Sequence, residues 1–302
     1  APSVGALCER FFNTHVLENC KPTTRAEYRR CIDKFIKPAI GAFRVVDVER
    51  KDIAELHNKH RDISYQANRT LGVLSKMFNL AEVWGLRPDG SNPCRHVPKY
   101  REKMRERFLS QGELQRLGQV LAEVEAEGSE TPFIVAAFRL LILTGCRLGE
   151  IQTLKWSYVT LRHLELPDTK TGARRIPLPE AARDVLDALP RCAGNPYVIA
   201  GKLEGRYATD FQHPWRRIRA RAGLAEVRIH DLRHTYASMA VSGGMPIQMV
   251  GRLLGHSQLQ TTMRYAHLAD DPVLAAAQQN ASQLSGLISA PKTRETHLRL
   301  VR

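Results

Sequence analysis

Basic side chains occur in short motifs along the second half of the 302-residue sequence, and four motifs carry groups suited to binding an anion. The first motif is Thr-Gly-Cys-Arg-Leu-Gly-Glu at 144–150. Arg147 and Glu150 are three positions apart, so on a helix they share a face, and the carboxylate can hold a guanidinium or an imidazole in place. Taken alone, an Arg-x-x-Glu pair is more typical of an ordinary surface ion pair.

A second motif, His-Asp-Leu-Arg-His at 230–234, places two imidazoles and a guanidinium on one predicted helix. His230 and Arg233 share a helical face, and arginine has the planar, two-pronged geometry that suits a phosphate. The i,i+4 spacing of His230 and His234 is also that of zinc ligands. Because Arg233 would repel a dication, an anion site is favoured over a zinc site, and a plain face of ion pairs is the other alternative.

The remaining two motifs surround a histidine and a lysine. Leu-Leu-Gly-His-Ser at 253–257 puts His256 nine residues before Tyr265, and the stretch 247–265 also has the cadence of a helix-turn-helix. Lys170 lies in a Thr-Lys-Thr-Gly turn, where a lysine is ordinarily a solvated charge. Cleavage of a phosphodiester without a metal requires cations around the non-bridging oxygens, a nucleophile and an acid for the departing oxygen. The four motifs and Tyr265 together contain such groups.

The order of these motifs resembles the tyrosine recombinase (phage integrase) family. The matching contexts are T-G-x-R-x-x-E, T-K-T-G, H-D-L-R-H, L-G-H and R-Y-A-H, and they cover about residues 106 to 285. The N-terminal part is similar to that family's helical core-binding domain in pattern only. The resemblance implies catalytic roles for six residues: Arg147, Lys170, His230, Arg233, His256 and Tyr265. It implies supporting roles for Glu150 and His234.

The resemblance also implies how the nucleophile works. Tyr265 attacks a scissile phosphate, which gives a 3′-phosphotyrosyl link and a 5′-hydroxyl. Lys170 is the general acid for the leaving oxygen, and His230 assists proton transfer to or from Tyr265. Tyr236, three residues after Arg233, is the competing nucleophile. We interpret Tyr236 as a packing residue, because Tyr265 follows the L-G-H motif at the distance typical of the family.

The resemblance implies that other side chains bind the phosphate. By the same resemblance, Arg147 and Arg233 neutralise the non-bridging oxygens and His256 donates a further hydrogen bond to the phosphate. Glu150 orients the arginine and histidine side chains, and His234 supports them. Neither a metal nor any other cofactor is expected.

The resemblance extends to partners and biological role. It implies double-stranded DNA as the partner, with a dimer on one site and a homo-tetramer on two recombination sites, and accessory DNA-bending proteins are included among the expected partners. The expected function is integration or excision of a mobile element, in the bacterial cytoplasm at the nucleoid. Two alternatives stay open: a type IB topoisomerase, which uses the same chemistry without pairing two sites, and a non-catalytic helix-turn-helix regulator.

Composition agrees with a nucleic-acid partner. The chain has 45 Lys and Arg against 31 Asp and Glu, a formal net charge of +14 and a pI near 9.8. Each cation placed against a phosphate releases condensed counterions, so a polyanion is favoured. No apolar run approaches the roughly 18 residues of a spanning helix and no signal peptide is recognisable, so we expect no membrane association. Six dispersed cysteines without a C-x-x-C pair are expected to be reduced thiols.

The spacing of apolar residues predicts a mainly α-helical fold with a small antiparallel β-hairpin in the catalytic domain, an α+β class. By the family resemblance this is a two-domain DNA clamp. The expected parts are a helical core-binding domain over 1–98, a basic linker over 99–107, a catalytic domain over 108–288 and a flexible tail over 289–302. In the linker, five alternating cations would line one side of an extended strap on DNA, with a solvated linker as the alternative: Lys99, Arg101, Lys103, Arg105 and Arg107.

Caps and stop signals predict individual elements. Thr24 and Glu27 form a predicted capping box, and Pro38 is expected to end that helix. Ser110 and Glu113 form a second predicted capping box. Other helices are predicted over about 49–60, 64–85, 132–143, 180–189, 214–222, 230–241, 247–254 and 272–287, and the hairpin over 161–179.

Overall fold

A computed structural model gives the conformation of residues 1–102, 106–169, 172–268 and 272–288. This part of the chain is mainly helical and contains a two-stranded antiparallel sheet, which confirms the predicted fold class. Two compact units make up the chain, Ala1–Arg105 and Glu106–Arg302, and each has its own hydrophobic core. Among the described helices, none combines the length and apolar character needed to cross a bilayer.

The regular elements in the described part of the first unit are all helices, and one isolated antiparallel bridge joins Ser3 to Arg44. A π turn, Phe12–Val16, joins its first two helices, and a second π turn, Ile32–Ile36, joins the third and fourth. A 3-10 turn, Arg61–Ile63, precedes the longest helix of the unit. The helices are α1 (Val4–Phe11), α2 (Leu17–Asn19), α3 (Pro22–Cys31), α4 (Lys37–Ile40), α5 (Arg50–Lys59) and α6 (Ser64–Val83).

The segment around α3 differs from the sequence prediction at both ends. Helix α3 begins at Pro22 without a side-chain cap, because proline pre-sets the backbone angle of a first turn, so the predicted capping box at Thr24 is wrong. Pro38 does not end the helix either, since α4 continues to Ile40 with Pro38 in its first turn. The π turn before it widens the helix by one residue, which relieves the clash of the proline ring with the preceding turn.

Helix α6 carries both the core stripe of the first unit and a buried polar residue, Asn68. The predicted stripe is buried at every position: Ala67, Leu71, Leu74, Phe78 and Ala81. Asn68 donates to the Tyr100 carbonyl and to Glu102 Oε1, each at 2.8 Å, and its Oδ1 accepts from the Tyr100 amide at 2.9 Å. The His57 ring stacks on Tyr100 with a centroid distance of 4.3 Å. The chain is therefore fixed to the first unit as far as Glu102.

The second unit surrounds its core with helices and places one hairpin at its side. The strands are β1 (His163–Leu166) and β2 (Arg174–Pro177). The helices before the hairpin are α7 (Gln111–Ala126), α8 (Pro132–Thr144) and α9 (Leu148–Gln152). The helices after it are α10 (Glu180–Asp187), α11 (Gln212–Arg221), α12 (Ile229–Ser242), α13 (Ile247–Leu254), α14 (Gln260–Met263) and α15 (Pro272–Ile288).

The hairpin confirms the change of period seen in the sequence. Strands β1 and β2 are antiparallel, with Leu164 opposite Ile176 and Leu166 opposite Arg174. Leu164, Ile176 and Leu178 are buried in the core of the second unit, while Arg175 is exposed. Alternate residues of β2 therefore face inward, as a strand packed on one face requires.

The start of α7 confirms the second predicted capping box. It also shows the partner of Arg107, one of the five cations of the predicted linker. Ser110 Oγ accepts from the Glu113 amide at 3.3 Å, and Glu113 Oε2 accepts from the Ser110 amide at 2.9 Å. Arg107 Nη2 lies 2.6 Å from Glu113 Oε1, and this hydrogen bond lowers the pKa of Glu113 to about 2. Arg107 is therefore paired within its own unit, contrary to its expected place in a DNA-facing row. Lys103 and Arg105 lie outside the described residues.

Candidate active site

Arg147 is positioned by the end of α8. Gly145 follows that helix with a left-handed φ of +62°, and its position leaves no room for a Cβ, which would meet Tyr236 Cε1 at 2.9 Å. The chain then turns so that Arg147 is the N-cap of α9 rather than a residue inside a helix. Glu150 accepts a hydrogen bond from the Arg147 amide at 2.8 Å and one from Arg147 Nη1 at 2.7 Å. The expected contact between the carboxylate and the guanidinium is present.

Glu150 is buried, with 6% of its side chain exposed. Burial alone would raise the pKa of its carboxyl, but the amide hydrogen bond from Arg147 and the charge of Arg174 outweigh burial, so the pKa lies below its ordinary value. Glu150 is a carboxylate at neutral pH. It bridges two guanidiniums, with Arg147 Nη1 at 2.7 Å and Arg174 Nη1 at 2.9 Å.

Arg174 also belongs to the site, although none of the sequence motifs identified it. It lies on β2 with 7% of its side chain exposed, and besides Glu150 it donates to the Leu253 carbonyl. The alternation of the strand contained the signal, since Arg174, Ile176 and Leu178 occupy one face and the latter two are apolar core residues. A cation in an inward-facing register is seldom buried without a paired carboxylate, and this one has Glu150.

Arg233 is the second predicted phosphate-binding arginine, and it is 4% exposed on α12. Its Nη1 donates to the Gly145 carbonyl at 2.6 Å and its Nη2 to the Leu254 carbonyl at 2.5 Å. Burial, together with repulsion from Arg147 and Arg174, lowers the pKa of Arg233 to about 10, so it remains charged at neutral pH. Main-chain carbonyls hold this guanidinium without cancelling its positive charge.

Tyr265 is buried, with 4% of the residue exposed, and it packs on Ala237, Val241 and Leu254. Burial raises the pKa of its phenol, so the hydroxyl is protonated at neutral pH. The hydroxyl oxygen lies 2.5 Å from His234 Nδ1. Burial, and then the charges of His230 and Arg264, lower the pKa of His234 to about 4, so the ring is neutral. A neutral ring with its proton on Nε2 accepts the hydrogen bond of the phenol at Nδ1.

His230 lies one helical turn before His234, and the two rings meet edge to face with centroids 4.8 Å apart. His230 is exposed to solvent. Partial burial of its ring, followed by the charge of Arg233, lowers its pKa. Of the two histidines, His234 is the one whose ring nitrogen is hydrogen-bonded to the Tyr265 hydroxyl. Within the described residues, no group of three or more His, Cys, Asp and Glu side chains is placed to hold a metal ion.

His256 follows the left-handed Gly255 at the end of α13. Its Nδ1 lies 2.9 Å from Thr262 Oγ1, and Thr262 is fully buried. Burial, followed by the charges of Arg233 and Arg147, lowers the pKa of His256 to about 4. A neutral imidazole held through Nδ1 presents Nε2 as its second polar atom, which suits a hydrogen bond to an anion when Nε2 carries the proton.

The two remaining predictions concern Tyr236, interpreted as a packing residue, and Lys170, the expected general acid. Tyr236 packs its ring against Gly145, which agrees with its interpretation as a packing residue. Lys170 lies outside the described residues. Of the described residues on either side of it, Thr169 donates to the Gly172 carbonyl through both its amide and its Oγ1, at 3.0 and 2.7 Å.

The described part of the site is assembled at the end of one helix. Arg147, Arg233 and Arg174 each donate to a main-chain carbonyl within residues 253–255. His256 follows directly, and Tyr265 lies nine residues further along the chain. Two charged guanidiniums, a neutral imidazole and a phenol bonded to a proton acceptor are the groups that phosphoryl transfer to a tyrosine requires.

Comparison with protein families gives two matches. Residues 107–271 match the phage integrase family, and residues 3–60 match the phage integrase N-terminal SAM-like domain. The first match covers more than half of the chain and contains all the candidate site residues.

Individual relatives agree with the family match. The chain is 31% identical over 204 residues to the shufflon-specific DNA recombinase of Escherichia coli, a match that covers 66% of this chain and half the length of that relative. It is 31% identical over 225 residues to tyrosine recombinase XerD of Brucella melitensis, covering 67% of this chain and 72% of XerD. It is 26% identical over 273 residues to a tyrosine recombinase of Thermosipho africanus, covering 85% of this chain and 92% of that protein.

Solved structures share the fold. A lambda integrase (75–356) dimer bound to a COC′ core site superposes with a TM-score of 0.70 at 21% identity, covering 87% of this chain and 95% of that one. Tn1549 transposon integrase in complex with circular intermediate DNA superposes with a TM-score of 0.71 at 19% identity, covering 92% and 99%. The sequence motifs, the relatives and the fold lead to one assignment: this chain belongs to the phage integrase family of tyrosine recombinases.

Proposed function

We propose that this chain is a site-specific recombinase that cleaves and rejoins DNA strands through a covalent bond between Tyr265 and a backbone phosphate. The observation that carries the proposal is the hydrogen bond of 2.5 Å between the Tyr265 hydroxyl and His234 Nδ1. This bond pairs the phenol with a neutral base, and the positive charges of Arg233 and Arg264 act on both groups. A helix-turn-helix regulator would need no such pairing.

In the proposed cleavage step, the Tyr265 oxygen forms a bond to phosphorus while the bond from phosphorus to the 5′-oxygen breaks. The phenolic proton passes to His234, with His230 next to it as a route to solvent. A proton from Lys170 goes to the departing 5′-oxygen. One phosphodiester is exchanged for another, so the reverse reaction rejoins the strand without ATP.

The arginines are proposed to act on the negative charge that builds up on the non-bridging oxygens. Arg147 and Arg233 donate to these oxygens, and the Nε2 proton of His256 adds a third hydrogen bond. Glu150 supports the proposal because it fixes Arg147 through both its amide and its guanidinium. The loss of one such donor typically costs about 3–4 kcal/mol of transition-state stabilisation.

For the assembly, we propose a dimer on one DNA site and a tetramer on two sites, with double-stranded DNA as the partner. The solved relatives include a lambda integrase dimer on a core site and a lambda integrase tetramer on a Holliday junction. The net charge of +14 supports a partner with a phosphate backbone. Integration or excision of a mobile element at the bacterial nucleoid, with DNA-bending proteins as accessories, completes the proposal.

The test is a nicked suicide duplex, from which the short 5′-hydroxyl fragment diffuses away after cleavage and prevents religation. Incubation in EDTA should give a protein–DNA adduct that survives SDS, and Tyr265→Phe should give none, while Tyr236→Phe serves as the matched control. Adduct formation without recombination between two sites would favour a type IB topoisomerase. A salt-sensitive gel shift without any adduct would favour a DNA-binding regulator.

A further inference from the structure

Three consecutive carbonyls at the end of α13 each accept a hydrogen bond from a different arginine. Leu253 accepts from Arg174, Leu254 from Arg233, and Gly255 from Arg147 at 3.4 Å. The last carbonyls of a helix lack partners within the helix and carry partial negative charge, so they attract cations. Two of these arginines belong to the proposed phosphate-binding set, whereas Arg174 does not.

Arg174 is enclosed on two sides. Its guanidinium lies under Gly255, where a Cβ would come within 2.7 Å of Arg174 Cζ. Gly255 has a left-handed φ of +63° and leads directly into His256. The close approach of this backbone to a buried side chain requires glycine, both for its conformation and for its missing Cβ. The Arg174 side chain therefore packs against the Gly255 backbone, directly before His256.

Arg174 also determines how Glu150 can hold Arg147. Glu150 Oε2 accepts from Arg174 Nη1 at 2.9 Å and from the Arg147 amide at 2.8 Å. The other carboxylate oxygen, Oε1, is thereby left to accept from Arg147 Nη1 at 2.7 Å. A carboxylate anchored through one oxygen has a fixed plane, and this plane sets the position of the guanidinium that it pairs with.

We propose that Arg174 is a positioning residue for the transferred phosphate, which fixes Arg147 through Glu150 and His256 through the Leu253–Gly255 turn. This role rests on the proposed function. Arg174 lies four residues after Lys170 in the sequence and is the first residue of β2. The same side chain therefore ties the strand next to the proposed general acid to two of the proposed phosphate ligands.

The physical reason for the role is the cost of leaving the two partners unpaired. Without the guanidinium, Glu150 Oε2 and the Leu253 carbonyl lose a buried donor, and buried polar groups without partners relax toward other contacts. A misplacement of about 1 Å at a reacting centre can cost on the order of a hundredfold in rate. We expect Arg174→Gln to slow cleavage of a phosphodiester by at least about tenfold, and Arg174→Lys to recover part of that loss, since one ammonium keeps the charge but not both contacts.

The matched control is Arg175→Gln. Arg175 is the next residue on the same strand, its side chain is 65% exposed, and it faces Glu165 at 3.5 Å on the surface. Both variants remove one positive charge from β2, so a general loss of electrostatic attraction to DNA would affect them alike. Cleavage is measured in single turnovers at saturating protein, so that a change of affinity does not enter the rate.

The decisive readout compares a phosphodiester with a methylphosphonate at the scissile position. A methyl group in place of a non-bridging oxygen removes the negative charge that Arg147 is proposed to neutralise. The cleavage rate of Arg147→Gln should therefore fall far less on the methylphosphonate than on the phosphate. Arg174→Gln should show the same pattern if it acts through Arg147. The ratio of the two rates is independent of the fraction of folded enzyme, because one preparation cleaves both substrates.

The outcomes separate this inference from the proposed function. The inference is supported if Arg174→Gln loses rate on phosphate and recovers it on the methylphosphonate, while Arg175→Gln matches the wild type. It is overturned if Arg174→Gln loses the same factor on both substrates, as general damage would cause, or if it matches Arg175→Gln on phosphate. If the wild type itself forms no adduct with either substrate, the proposed function fails, and this role fails with it.

Discussion

At the scale of single residues, the proton acceptor of the nucleophile was the assignment most dependent on the fold. Both His230 and His234 lie in the H-D-L-R-H motif, and the family resemblance placed the proton-transfer role on His230. The structure bonds the Tyr265 hydroxyl to His234 and leaves His230 exposed beside it. Sequence spacing could not separate the two, because which side of α12 faces Tyr265 depends on how residues 255–265 fold back onto that helix.

Substitution of each histidine tests this assignment. His234→Gln keeps a side chain of similar size but cannot take up a proton, and we expect single-turnover cleavage to fall by about a hundredfold, which is the usual contribution of a general base. His230→Gln should lose less. If His230→Gln proves the slower enzyme and His234→Gln cleaves at the wild-type rate, the proton acceptor is His230.

The two neutral imidazoles also predict how stability depends on pH. The pKa values of His234 and His256 are lowered to about 4, against about 6.5 for an unfolded histidine. Between those values the unfolded chain binds more protons, so the free energy of unfolding falls as the pH decreases from about 6.5 to about 4, and these two groups have no effect above that range.

The measurement is the melting temperature of the DNA-free protein across this pH range, compared with the double variant His234→Gln, His256→Gln. The wild type should lose at least about 1 kcal/mol more than the variant on acidification, or roughly 2–4 °C in melting temperature for a unit of this size. Parallel curves for the two proteins would mean that neither imidazole is held neutral by burial.

At the scale of elements, local sequence signals predicted the helices and strands whose conformation depends on their own residues. The Ser110–Glu113 capping box, the apolar helix α8 and the hairpin β1–β2 follow from cap residues and from the period of apolar side chains. Pro38 shows where such signals fail, because a π turn accommodates a proline that ordinarily ends a helix. Arg174 was missed for another reason, since its partners are distant in sequence and only the folded chain brings Glu150 and Leu253 to it.

The turn at Gly145 gives a prediction for this scale. Gly145→Ala would add a Cβ within 2.9 Å of the Tyr236 ring at a left-handed backbone position, so we expect a loss of about 1–3 kcal/mol of unfolding free energy from overpacking and strain. Gly149→Ala is the matched control four residues later on α9. Its Cβ meets nothing within 4 Å, and replacing this glycine should stabilise the protein by about 0.4–1 kcal/mol.

Urea denaturation of the two glycine variants provides the measurement. Opposite signs of the change in unfolding free energy are expected for Gly145→Ala and Gly149→Ala. A Gly145→Ala protein as stable as the wild type would show that the end of α8 is not held against Tyr236, and the placement of Arg147 two residues later would then lose its support.

At the scale of the whole molecule, charge is the property that the sequence predicts most directly. The excess of 14 basic residues does not depend on the fold, whereas the use of each cation does. Arg107, for example, forms an ion pair with Glu113, and Arg174 forms one with Glu150. Counting cations along the chain therefore predicts the class of partner and overestimates how many side chains are available to it.

The salt dependence of DNA binding tests whether the excess of basic side chains contacts the phosphate backbone. We expect the affinity for a duplex of arbitrary sequence to fall by about a thousandfold or more between roughly 50 and 200 mM salt, as for a protein that contacts six or more phosphates. Fluorescence anisotropy of a labelled duplex measures the change. An affinity that is the same at both salt concentrations would show that the basic surface does not contact the phosphate backbone.

The identity of the nucleophile is the central claim, and peptide mapping of the trapped adduct tests it most directly. Trypsin cleaves after Arg264, so the peptide that carries the DNA remnant should begin at Tyr265. Mass spectrometry after nuclease digestion should find a nucleotide 3′-phosphate on that tyrosine in the wild type and on no peptide in Tyr265→Phe. A nucleotide found on Tyr236, or on any other residue, would contradict the account.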